Sequence, residues 1–143
     1  MKKTIILFFF LIFLISCEKE DSINNNIIES EWTTKQFTYE HDGLIRTYIL
    51  HKPLNFVENS PLVFVLHGFG SSAMTIMTYS QMNTIADQNG FLVCYPQGSI
   101  LETGQSHWNA NLEMSSINDI DFLSQLAKSL QFNYKTNPFG KNF

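Results

Sequence analysis

Residues 61–70 read PLVFVLHGFG, and the chain turns on them. Leu62 to Leu66 is an unbroken apolar run rich in β-branched and aromatic side chains. A run that short, bounded by Pro61 and Gly68, predicts a strand buried on both faces, as in a parallel sheet. A short helix is the alternative, and the flanking proline and glycine argue against it. The apolar character stops at His67-Gly68-Phe69-Gly70, where two glycines permit a tight turn and close backbone approach. In open α/β sheets, the carboxyl end of a strand is where ligands bind.

Downstream, Ser71 and Ser72 are candidate N-caps for one helix or two short ones over Ala73 to Gln88. Met74, Met77, Met82, Ile85 and Ala86 form an imperfect apolar stripe, read as core. Asn89-Gly90 suits a helix C-terminus. Phe91 to Tyr95 is a second buried strand, ended by Pro96-Gln97-Gly98. Ser99 to Ser116 reads as a long loop containing His107-Trp108-Asn109. Ile120, Leu123, Leu126, Ala127 and Leu130 then recur at helical spacing, with Ser116 or Asn118 as cap and Asp119 and Asp121 suited to the helix dipole. Phe132 to Phe143 shows no clear strand.

Upstream, Thr33 to Glu40 and Leu44 to His51 flank His41-Asp42-Gly43. Asp-Gly between two strand-like runs predicts a β-hairpin. His41 and His51 are expected to be exposed turn and strand-end residues. Lys52 to Ser60 is a loop.

VFVLHGFG, a helix, then GFLVCYPQG resembles the first half of an α/β-hydrolase. More narrowly it is similar to the secreted polyhydroxybutyrate depolymerase and feruloyl esterase group. The resemblance implies an α/β fold: an N-terminal antiparallel hairpin, then parallel strands with crossover helices. It places the Phe91 to Tyr95 strand between the Leu44 to Leu50 and Leu62 to Leu66 strands. It implies that the backbone N–H of Phe69 is one oxyanion-hole donor, where negative charge develops in acyl transfer. His67 is implied to be structural, not the catalytic base. With Gly68, Gly70, Trp108 and Asn109 it is a candidate for the substrate rim, and Trp108 serves equally well as a cover for core surface. The implied substrates are esters: polyesters or acylated polysaccharides. Relatives with a cysteine after His-Gly and another before Trp-Asn are matched here by Phe69 and His107.

Serine hydrolysis needs a nucleophile, a base, an acid and oxyanion donors. The fold presents its serine in Gly-x-Ser-x-Gly. Gly70-Ser71-Ser72-Ala73-Met74 and Gly104-Gln105-Ser106-His107-Trp108 both lack the closing glycine. Asp119 is rejected as the triad acid, because in the resembled group that acid follows a much later strand. No catalytic triad is expected within these residues. The chain reads as a hydrolase truncated before the nucleophile elbow, with a non-catalytic binding module as the alternative.

The 143 residues are 44% hydrophobic and 15% charged, enough for one domain at most and short for a complete hydrolase sheet. The net charge of −4 excludes the clustered basic footprint of nucleic-acid binding. No metal, phosphate-loop or dinucleotide motif is present, so no cofactor is expected. Cys94, inside an apolar run, reads as a buried small hydrophobe.

Residues 1–16 combine Lys2 and Lys3 with an apolar stretch from Thr4 to Ile15, the pattern of a signal peptide. Leu14-Ile15-Ser16-Cys17 resembles the lipobox of bacterial lipoproteins, which implies lipidation at Cys17 and membrane anchoring. Glu18-Lys19-Glu20-Asp21 resembles a surface-export tag. Residues 17–31 read as a flexible tether, and residues 32–143 as the N-terminal part of the hydrolase-like domain. The expected location is the membrane or cell surface of a bacterium.

Overall fold

The structure is a computed structural model that describes residues 33–110 and 114–137. Cys17, the signal-like segment and the tether lie outside the described residues.

The chain opens with β1 (Thr34–His41) and β2 (Leu44–His51), paired antiparallel. Asp42 and Gly43 between them have φ of 49° and 72°. Two successive positive φ angles define the type I′ turn that Asp-Gly favours, so the expected hairpin forms. β3 (Leu62–Phe64) follows, then α1 (Ala73–Ser80), α2 (Met82–Asn89) and β4 (Leu92–Pro96). β4 pairs antiparallel with β2 and parallel with β3, giving the sheet order β1-β2-β4-β3. That is the expected order, with the Phe91 to Tyr95 region central and the Leu62 region outermost.

Helical signals act where the sequence places them. Ser72 caps α1, its hydroxyl accepting from the Thr75 N–H. A left-handed Gln81 (φ 56°) divides Ala73 to Asn89 into two helices. Gly90, also left-handed, closes α2 by donating to the Ala86 carbonyl. The long helix α3 (Asp119–Tyr134) is capped by the Asn118 side chain.

The helices cover both faces of the sheet, and the period-2 alternation of β2 and β4 sorts the core between them. Tyr48, Leu50 and Cys94 pack with Phe122, Leu126 and Leu130 of α3. Ile49, Val93 and Tyr95 pack with Ala73 of α1 and Ala86 of α2. Each of the large buried side chains contributes about 1.5–3 kcal/mol by leaving water. Burial pushes the Cys94 thiol pKa up, so it stays protonated and inert.

Several expectations are corrected. The buried face of α3 is Asp119, Phe122, Leu126 and Leu130, with Leu123 packed beside it, so the expected stripe holds except that Ile120 is 49% exposed and Phe122 takes the inward place. The helix also runs on past Leu130 to Tyr134. The region from Ser99 to Ser116 is not wholly irregular, because β5 (Ser99–Ile100) and β6 (Ser106–His107) form a short antiparallel ribbon. His51 is buried, bonded to Thr34 Oγ1 at 2.8 Å and Asp87 Oδ1 at 2.9 Å. The His41 ring is also covered, packed on Phe122. His51 has hydrogen-bond partners and His41 a packing neighbour on other elements, which a linear pattern cannot display.

β3 is half-buried along its length instead of buried on both faces, because among the described residues nothing pairs with its outer side. Leu66, just beyond it, is 42% exposed. An apolar strand edge without a charged residue recruits other chains. Leu66→Lys is therefore expected to reduce self-association of the 143-residue chain without lowering its melting temperature, as read by light scattering and thermal unfolding in parallel.

Candidate functional site

β3 and β4 run parallel, so their carboxyl ends lie side by side. The loop from Leu66 to Ser72 leaves one and the turn Gln97-Gly98 leaves the other. His67 joins them. It is only 2% exposed, its Nδ1 donating to the Gly68 carbonyl (2.8 Å) and its Nε2 accepting from the Gly98 N–H (2.9 Å). Both ring nitrogens are thus committed, in the Nδ1–H tautomer. Gln97 Nε2 adds a contact at 3.1 Å. His67 is a strut between two loops. Both its ring nitrogens are taken by backbone groups, in keeping with a structural role.

Gly98 is required at this junction. A Cβ there would stand 2.3 Å from the His107 carbonyl oxygen and 3.1 Å from His67 Nε2. Only a residue without a side chain lets the three segments meet.

Further ties hold the Gly68–Ser71 turn. Gly70 N–H donates to Ser106 O (2.8 Å), Ser71 N–H donates to Gly68 O (3.1 Å), and the Ser106 hydroxyl donates to Ser71 O. Trp108 Nε1 donates to His67 O (2.9 Å), and its ring lies 5.1 Å from the imidazole. Trp108 also packs on the α3-side core. Gln97 Oε1 accepts from Ala73 N–H (2.9 Å) and so positions the start of α1. Amid these bonds, the Phe69 N–H has no hydrogen-bond partner among the described residues, and the Phe69 residue is 63% exposed. A rigid loop at the carboxyl edge of a parallel pair thus presents an unused amide.

A buried ion pair lies beneath. Arg46 on β2 meets Asp119 at the first turn of α3 at 2.7 Å, with side chains 5% and 2% exposed. Arg46 Nη2 also donates to Gln97 O (3.2 Å), and the guanidinium lies 3.9 Å from the Phe122 ring centre. The second carboxylate oxygen of Asp119 accepts from the Asn109 N–H (2.7 Å). Asn109 Nδ2 in turn donates to Ser115 O (2.7 Å) and Ile117 O (2.9 Å). Asn109 therefore holds the loop from inside. Asp119, weighed as an acid and set aside, is engaged with Arg46.

Gln97, Arg46 and His107 were not singled out as site residues by sequence reasoning. One signal was available for Arg46: a charge at an inward position of an alternating strand needs a buried partner. His107 is buried, with Nδ1 3.1 Å from Ser99 O and Nε2 3.1 Å from Ser115 Oγ.

The fold is a partial α/β-hydrolase fold. The chain is similar in structure to the fluorophosphonate-binding serine hydrolase FphF of Staphylococcus aureus, with a TM-score of 0.54 at 13% identity, over 72% of this chain and 42% of that one. An epoxide hydrolase of Aspergillus niger aligns with a TM-score of 0.46 at 18% identity, over 68% of this chain and 25% of that one. In sequence, the chain is 30% identical over 92 residues to the bifunctional acetylxylan esterase/xylanase XynS20E of Neocallimastix patriciarum. That match takes in 64% of this chain and spans 13% of the relative's length. The chain matches no protein-family model. The sequence relative supports an esterase-like relationship, and the likeness to FphF supports the fold.

Removing one partner of a buried ion pair leaves an uncompensated charge, at a cost of about 3–5 kcal/mol. Asp119→Asn is expected to destabilise the chain by that amount, read as a lower midpoint in urea unfolding.

Proposed function

We propose that these residues form the oxyanion-hole side of an exported serine hydrolase acting on carboxylic esters. The unpartnered Phe69 N–H, on a loop fixed by His67, Trp108 and Ser106, carries the reading. Acyl transfer needs a donor that is already oriented where the tetrahedral oxyanion forms, and removal of one such donor costs about 10²–10³ in kcat. Gly68 and Gly70 leave open space beside it, since a Cβ at either would meet nothing within 4 Å. Trp108 would stand beside this opening. The acetylxylan esterase relative favours acylated polysaccharide over polyester as the substrate class.

Within the 143 residues, the hydroxyls that could be mistaken for a nucleophile have other work. Ser72 caps α1 and Ser106 bonds to Ser71 O. No Gly-x-Ser-x-Gly occurs. These residues alone are therefore expected to hydrolyse no nitrophenyl ester and to take no fluorophosphonate label. Stoichiometric labelling of Ser71, Ser72, Ser106 or the His107-bonded Ser115 would place the nucleophile here and overturn that assignment. The missing elbow motif also keeps a second reading open, a non-catalytic surface binding module. A coding sequence that continues past Phe143 into a strand and Gly-x-Ser-x-Gly would decide for the esterase.

Export and anchoring rest on the lipobox-like Leu14 to Cys17. Acylation at Cys17 with cleavage before it is expected. An alkyne fatty acid should label the wild-type protein in cells and fail to label Cys17→Ser; equal labelling would remove the anchor from the proposal.

A further inference from the structure

His41 ends β1, and its side chain is 91% buried (9% exposed) against Tyr39 and Phe122, with ring centres 6.5 Å and 5.9 Å away. Its Nε2 is buried and has no hydrogen-bond partner among the described residues. A buried ring nitrogen without a partner requires an explanation. Two carboxylate oxygens face it, Asp42 Oδ2 at 3.4 Å and Asp121 Oδ2 at 3.3 Å. The three atoms lie within 4.8 Å of one another.

The distances discriminate between explanations. A charge-assisted N–H···O⁻ bond runs about 2.7–2.9 Å, and both contacts are longer. Ligands about 2.0–2.1 Å from a tetrahedral Zn²⁺ stand roughly 3.3–3.4 Å apart. Both His41 contacts have that separation. An octahedral arrangement at the same bond lengths would bring neighbouring ligands to about 3.0 Å.

We propose that His41 Nε2, Asp42 and Asp121 bind a divalent transition cation, with Zn²⁺ the best fit, and that the ion ties the hairpin turn to α3. Imidazole nitrogen and carboxylate oxygen are ligands such ions accept, whereas Ca²⁺ and Mg²⁺ take oxygen alone. Two carboxylates and a neutral imidazole balance a double positive charge. Asp121 Oδ1 accepts from Gln125 Nε2 at 3.3 Å, which orients the carboxylate and turns Oδ2 toward His41. The neighbouring cation, Arg46, is paired with Asp119. A cleft of about 320 Å³ lined by His41, Asp42, Leu44, Ser116, Ile117 and Asn118, with the Asp119-paired Arg46 also on its wall, leaves room for water as the fourth ligand.

The full chain, stripped with a chelator and dialysed, would be titrated with Zn²⁺, following bound metal, the His41 ring resonances and thermal unfolding. One equivalent should bind, shift the His41 resonances and raise the melting temperature. Asp42→Asn removes a ligand charge from a side chain 71% exposed, at a left-handed position that asparagine tolerates, so the fold is not at risk. It should weaken Zn²⁺ binding at least about tenfold, as should Asp121→Asn, and His41→Gln should abolish it. No binding by the wild type, or binding unchanged in Asp42→Asn and Asp121→Asn, overturns the site. In the first case His41 is simply an imidazole between two carboxylates.

Discussion

Arg46 carries a guanidinium into a space otherwise filled by Tyr48, Phe122 and the ends of two strands. Two charges taken out of water cost several kcal/mol each unless both are fully engaged. Asp119 engages Arg46 through Nη2, while the buried Nη1 has no hydrogen-bond partner among the described residues, and the Asp119 carboxylate reaches three parts of the chain: β2 through Arg46, the start of α3 in which it sits, and the loop after β6 through the Asn109 amide. Arg46 Nη2 reaches a fourth, the turn after β4, through Gln97 O. Apolar packing alone would hold α3 on the sheet but would tolerate sliding along it. A directional ion pair with these added bonds fixes the helix start against the strand ends.

The loop that bears Phe69 inherits this rigidity. Arg46 holds Gln97, Gln97 holds the first amide of α1, and the adjacent Gly98 holds His67. Trp108 closes the circuit from the far side, next to the Asn109 that Asp119 retains. Each bond is worth only about 0.5–1.5 kcal/mol net. Their value lies in order: together they fix the backbone that carries the Phe69 N–H. The ion pair and the free N–H are the two ends of one chain of contacts.

Much of the fold was legible because local signals sufficed. Asp42-Gly43 specified a turn, Ser72 and Gly90 specified helix limits, and Leu62 to Leu66 and Phe91 to Tyr95 specified strands. The parts that were not legible depend on partners far apart in the chain. Nothing near His51 announces Asp87, and nothing near His41 announces Phe122. The first turn of α3 differs from expectation for the same reason, although Leu123, Leu126 and Leu130 face the core as expected. Asp119 was counted as a polar first-turn residue, yet it is buried by Arg46, and that turns Phe122 inward and Ile120 outward. The sequence singles out His67-Gly68-Phe69-Gly70 and Trp108-Asn109, and the two segments meet through the Trp108 Nε1 bond to His67 O. The roles of Gln97 and Gly98 were not legible, since a Gln-Gly after a strand reads only as an ending.

The way the sheet is covered bears on where a further strand could join it. β1 lies at one edge, paired to β2 over its whole length; β3 lies at the other, three residues long and open on its outer side. In parallel sheets, helices cover both faces and flanking strands cover the edges, and β3, with no strand on its outer side among the described residues, is half-buried. Leu62 and Phe64 face the α3 side and Val65 the side of α1 and α2, so β3 is already patterned for the interior. Phe69, with its free amide, sits just past this same edge. A strand added beside β3 would complete the burial of its apolar residues and bring its own carboxyl end next to that amide.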